Sequence, residues 1–230
     1  MTDRITIDER FRGPPGSANG GYTCGRVAAF VGNPAEVTLR SRPPLQQALD
    51  VEARHDTVLV SHGATLVAEG TSAEPQVQVP AFVGFEKAQE VSAPVSDHYF
   101  PECFVCGPLR QPEDGLRIYP GRIEGRELVA APWVPDPTLA RDGETVEDVY
   151  VWSALDCPSG FGTSFLEPRS MIILGRLTAQ LIESVSVGQR LIVMGFPIRR
   201  DGRKLFTGSA IFSEEGDVKG VAQATWIELR

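Results

Sequence analysis

Two short stretches of this chain carry residue types at spacings suited to chemistry. At 19–21 an Asn-Gly-Gly triplet precedes a run of small residues. Asn19 is a good helix N-cap, and Gly20 and Gly21 have no side chains to keep a ligand from their backbone amides. Amides at a helix start carry partial positive charge, so the chemistry on offer is close approach of a ligand to the backbone. The plain alternative is a turn leading into a helix. The second stretch is the CxxC of Cys103 and Cys106, with His98 five residues upstream. Thiolates and imidazole are zinc ligands, but a fourth ligand is not evident from spacing, so the pair reads as a structural turn and no metal or cofactor is expected. A redox CxxC would open a helix in a βαβ unit, a pattern the chain lacks. His55 and His62 fall at hairpin turns, where a solvated imidazole is usual. No GxSxG occurs, and Ser159, in Pro-Ser-Gly, has the wrong surroundings for a nucleophile.

The elements that must position these groups follow from periodicity. Residues 3–12, DRITIDERFR, alternate apolar and polar side chains and read as a first strand. The turn cluster GPPGSANGGY at 13–22 leads into a helix, YTCGRVAAFVG, stopped by Gly32, Asn33 and Pro34; its Gly25 and Ala28 allow close packing. Stretches 36–41, 48–54, 57–61 and 64–73 then read as strands separated by hairpin breaks. From 75 to 101 the chain is rich in Pro, Val, Ala and Glu without a sustained period, and reads as a connection. Strand signals resume at 115–121 and 127–134. A helix follows at 144–157, with Val146, Val149, Trp152 and Leu155 at helical spacing, and Pro158 is expected to kink or end it. Four further strands are read at 170–181, 189–200, 204–213 and 218–229.

Composition narrows the class. The 230 residues, 42% hydrophobic and 23% charged, are those of a globular protein rather than a disordered one. A net charge of −8 without a basic block gives no electrostatic support for nucleic-acid binding. With no long apolar window and a charged N-terminus, neither a membrane span nor a signal peptide is read, and a cytoplasmic location is expected. Four cysteines, Cys24, Cys103, Cys106 and Cys157, are too few for a disulfide scaffold and are read as reduced thiols. The 23 glycines and 18 prolines suit many short elements joined by turns.

The order strand, helix, meander occurs twice, and VAEGT at 67–71 matches VAQAT at 221–225. The expected division is a first half at 1–74, a connection at 75–101 and a second half at 102–230, folding as one unit. The Asn-Gly-Gly before the first helix, CFVCGPLRQPEDGLRIYPG at 103–121 and VYVWSALDC at 149–157 together resemble the hotdog-fold thioesterase superfamily, in particular a double-hotdog member. The resemblance implies an α+β tandem hotdog fold, each half a twisted antiparallel sheet around a central helix.

It also implies a site at the interface of the halves, where helix-start amides polarise a thioester carbonyl and a carboxylate from the other half acts as base or nucleophile. Mapped onto this chain, Gly20 and Gly21 supply the amides, Asn19 assists, and the carboxylate is Asp156. The second helix starts with Glu147, Asp148 and Val149 instead of glycine, and the counterpart of Asp156 in the first helix falls near Ala28 or Ala29, which carry no chemistry, so one composite site is complete and the other degenerate. Trp152 and Phe161, with Phe30, Leu155 and Phe165, either line an acyl tunnel or form ordinary core. The implied partner is an acyl-CoA or related thioester, and a homo-oligomer is compatible with the reading. The alternative is a hotdog protein that binds an acyl ligand without turnover; dehydratase chemistry, which needs a histidine base, finds none in either helix.

Overall fold

A computed structural model describes residues 3–229. In chain order the elements are β1 (Asp3–Thr6), α1 (Gly20–Ala28), β2 (Ala35–Leu39), β3 (Ala48–Arg54), β4 (Thr57–His62), β5 (Thr65–Thr71), α2 (Phe85–Val91), β6 (Gly121–Arg122), β7 (Val129–Trp133), α3 (Asp148–Gly162), β8 (Ile172–Leu181), β9 (Leu191–Asp201), β10 (Lys204–Ser213) and β11 (Val218–Glu228). The strands form one antiparallel sheet in the order β1-β3-β4-β5-β2-β8-β11-β10-β9-β7-β6. At its middle β2 pairs with β8, Val37 opposite Leu177. Outward from that pair the order is β5-β4-β3-β1 in one direction and β11-β10-β9-β7 in the other. The matched pieces VAEGT and VAQAT therefore lie on β5 and β11, the strands flanking the central pair.

Helix α1 packs against β2, β5 and β8, helix α3 against β7 to β11, and the two helices against each other. Their close approach rests on small residues. A Cβ on Gly21 would sit 2.4 Å from Asp156 Cβ, and one on Gly25 would sit 2.9 Å from Trp152 Cβ and 3.0 Å from Val149 Cα. Both glycines lie on one face of α1, one turn apart, as the i, i+4 rule requires. Strand β9 is buried on both faces: Leu191 and Val193 join the core beneath the helices. Ile192, Met194 and Phe196, pointing the other way, pack with Val83, Phe85 and Ala88 of the α2 region. The 75–101 segment thus holds a helix absent from the periodicity reading, because seven residues are too few to establish a period.

Several elements differ from the sequence expectation. The first strand ends at Thr6, because Asp8 accepts a bond from the Arg10 amide and caps a 3₁₀ turn at Glu9–Phe11. Residues 115–120 are not a strand. The amides of Leu116 and Ile118 donate to the carbonyls of Phe104 and Val105 instead, so the apolar alternation packs against the CxxC segment rather than into the sheet. Residues 144–147 stay outside α3, held by bridges between Ala140 and Val146 and between Thr145 and Ser186.

Pro158 does not end α3, which runs on to Gly162. A proline inside a helix costs about 3 kcal/mol and disturbs the carbonyls three and four residues before it. Here the Ser209 hydroxyl of β10 donates to the Leu155 carbonyl at 2.6 Å, and the helix is buried along nearly its whole length. Tertiary packing therefore overrides the local preference. Ser209→Ala leaves that carbonyl without its hydroxyl donor in the core, and the expected loss is about 1–3 kcal/mol, read as a lower Tm in thermal unfolding.

Candidate active site

The site forms where the N-terminus of α1 meets the middle of α3. Asn19 caps α1, its side-chain oxygen accepting from the Tyr22 amide at 2.8 Å. The Asn19 amide donates to the Phe11 carbonyl at 2.8 Å, and the Gly21 amide donates to Asp156 Oδ2 at 2.9 Å. Three of the four orphan amides of the first turn are thereby satisfied. That of Gly20 has no protein partner among the described residues, and Gly20 lines the adjoining cavity.

Asp156 is 2% exposed. Its Oδ2 also accepts from Asn19 Nδ2 at 3.1 Å, whereas Oδ1 has no hydrogen-bond partner. Burial pushes this carboxyl up to about 7. The Gly21 amide and the Asn19 side chain pull against that shift, while negative charge on Cys103 adds to it. One oxygen is therefore clamped and the other is buried without a partner, on a group that holds its proton more tightly than an ordinary carboxyl.

A cavity of 630 Å³ opens beside this pair. Asp156, Gly20 and Asn19 line it together with an apolar wall that includes Phe161, Leu174 and Trp226, and with Arg42 and Arg169, neither of which forms an ion pair among the described residues. Trp226 Nε1 donates to Ser159 Oγ at 3.0 Å, fixing the indole at the wall. Asn19, Gly20, Gly21, Asp156 and Phe161 are thus gathered at one place. Gly21 faces Asp156 across the helix contact, and Trp152 lies outside the cavity lining, packed on Gly25. Asn19→Ala removes both the cap of α1 and one tether on Asp156. Loss of the cap is expected to cost about 1 kcal/mol, seen as a fall in the denaturant midpoint at unchanged slope.

The CxxC segment lines the same cavity through Cys103 and Cys106. Its backbone is stitched to the start of the chain by the Phe104 amide donating to the Arg12 carbonyl. Phe104, Phe11, Tyr22 and Tyr150 form an aromatic cluster, with the Phe11 and Tyr22 rings stacked at 3.9 Å. Arg110, nearly buried, donates to the carbonyls of Glu102 and Arg10 and to Asp114, holding the loop closed. The result brings Cys103 within 3.7 Å of Cys157 Sγ, next to Asp156 on α3. Sequence reading missed this approach, since nothing in the spacing of 103, 106 and 157 places the third thiol with the other two. Cys103 is held well below the usual thiol range by hydrogen bonds from the Cys106 and Cys157 thiols, with the amides of Cys106 and Val105 adding to it.

The architecture defines the class: the chain has the hotdog fold. A hotdog-fold protein of unknown function from Alicyclobacillus acidocaldarius superposes with a TM-score of 0.64 at 10% identity, over 99% of this chain and 92% of the other. A protein of Thermobifida fusca YX, provisionally named a thioesterase II, superposes with a TM-score of 0.63 at 12% identity, over 99% and 92%. The tesB protein of Mycobacterium avium subsp. paratuberculosis does so with a TM-score of 0.59 at 12% identity, over 93% and 88%. No protein-family model matches the chain, and no curated protein does.

Proposed function

We propose that the protein hydrolyses a thioester, of the acyl-CoA kind, in the cavity between two hotdog units carried by one chain. The observation that carries the reading is the clamped carboxylate: Asp156 Oδ2 is held by the amide and cap of the opposite helix while Oδ1 is without a partner. The two units correspond to residues 1–74 and 102–230, joined by 75–101. The mirrored strand order about the β2–β8 pair supports that division.

In this mechanism the thioester carbonyl oxygen sits at the free Gly20 amide, where the α1 dipole favours the negative charge that develops on it. Asp156 Oδ1 takes a proton from a water molecule as the water oxygen attacks the carbonyl carbon. The tetrahedral intermediate collapses by breaking the carbon–sulfur bond, and the proton on Asp156 passes to the departing thiolate. The products are a carboxylic acid and a free thiol. Arg42 and Arg169 supply positive charge for the phosphates of a CoA-type thiol, and the wall of Phe161, Leu174 and Trp226 takes the acyl group. The test is release of free CoA from a panel of short, medium, long and aryl acyl-CoAs, measured by chromatography. The reading expects turnover of at least one of them.

The alternative reading, an acyl-ligand binder without turnover, differs at one point: it expects a rise in Tm with ligand and no CoA release. A ligand present at a hundred times its Kd stabilises by about 2.7 kcal/mol, enough to be seen in a melting curve.

A further inference from the structure

We propose that Cys103, Cys106 and Cys157 form a binding site for one zinc ion, clasping the 100–107 loop to α3 beside the candidate active site. The three sulfurs lie within 4.8 Å of one another, and all three residues are buried. Zinc bonds thiolate sulfur at about 2.3 Å, so two sulfurs on a tetrahedral ion stand about 3.8 Å apart. Cys103 and Cys157 stand 3.7 Å apart as free thiols, already at that spacing.

The backbone around the pair is built to match. The turn is closed by the Gly107 amide on the Cys103 carbonyl at 2.9 Å. A Cβ at Gly107 would meet the Cys103 nitrogen at 2.5 Å and its carbonyl oxygen at 2.6 Å. Only glycine fits there, and the tight turn brings both sulfurs of the CxxC to one side. Asn19 Nδ2 approaches the sulfurs of Cys103 and Cys157 at 3.7 and 3.9 Å, a donor that offsets the charge of thiolates bound to a metal.

His98 is not the fourth ligand in this arrangement. Its Nδ1 accepts from the Phe100 amide at 2.9 Å, which puts the ring proton on Nε2, the nitrogen 3.2 Å from Cys106 Sγ. A nitrogen carrying a proton cannot ligate, so three protein thiolates hold the ion. The fourth position falls to a small ligand such as water, reached from the cavity that all three cysteines line. On binding, the thiols release their protons and no oxidant or reductant is required.

The test uses the full chain, reduced anaerobically, equilibrated with zinc and then dialysed against metal-free buffer. The expected result is one zinc per chain by elemental analysis, falling at least tenfold in Cys103→Ser and in Cys157→Ser. Cobalt(II) added to the wild-type protein gives a readout independent of whether those variants fold. Thiolate-to-cobalt charge-transfer absorption with the d–d bands of a tetrahedral ion is expected at one equivalent. Retention of less than a tenth of an equivalent of zinc, absence of the charge-transfer band, or undiminished zinc in folded Cys157→Ser would overturn the proposal. Because metal content is the readout, its failure leaves the thioester reading untouched, and the reverse also holds.

Discussion

Asp156→Asn is expected to lower the rate of thioester hydrolysis by about 10²–10⁴-fold while leaving the fold intact. The carboxamide has the shape of the carboxyl and still presents an oxygen to the Gly21 amide and the Asn19 side chain, so the contact between α1 and α3 survives. What it loses is the ability to take a proton from water at the position of Oδ1. Burying an uncharged amide also costs less than burying a charged carboxylate, so the variant should melt no lower than the wild type. A rate loss with undiminished Tm separates the chemical role from a structural one. A fall in Tm matching the fall in rate would instead make Asp156 a packing residue.

The second large effect is at the helix contact. Gly21→Ala places a methyl group 2.4 Å from Asp156 Cβ and 3.0 Å from the Trp152 carbonyl oxygen, and neither neighbour is the flexible end of a side chain. Alanine is the better helix former by about 1 kcal/mol, but relief of the clash requires the two helices to part. Overpacking of this kind costs about 1–3 kcal/mol, and it also pulls the Gly21 amide from Asp156. The expected outcome is a lower Tm with loss of turnover. Gly25→Ala, one turn further along against Trp152 and Val149, should lower Tm similarly while leaving the Gly21 amide at the carboxylate. Comparison of the two variants by calorimetry and steady-state kinetics isolates the contribution of that hydrogen bond.

Much of the fold was legible because its signals are local. The hairpins of β3, β4 and β5 follow alternation broken by His-Asp and His-Gly pairs, and Asn19 caps α1 as its residue type implies. The pairing of Gly21 with Asp156 was legible only through a resemblance, since 135 residues separate them. Three features were hidden for physical reasons. The continuation of α3 past Pro158 depends on burial and on the Ser209 hydroxyl, both supplied by strands far along the chain. The 115–120 stretch has a strand's alternation but spends its amides on the loop at 104–105. The third thiol of the cysteine cluster comes from a helix, and no spacing rule links it to a CxxC more than fifty residues earlier.

The central claim is that a thioester is cleaved at the Gly20 amide by Asp156, and the most direct measurement is release of free CoA from the acyl-CoA panel by the wild type and by Asp156→Asn at matched fold and concentration. The account expects turnover by the wild type, its near-complete loss in the variant, and a ligand-induced rise in Tm in both. Equal release by the two proteins, or a rise in Tm without release by the wild type, would contradict it.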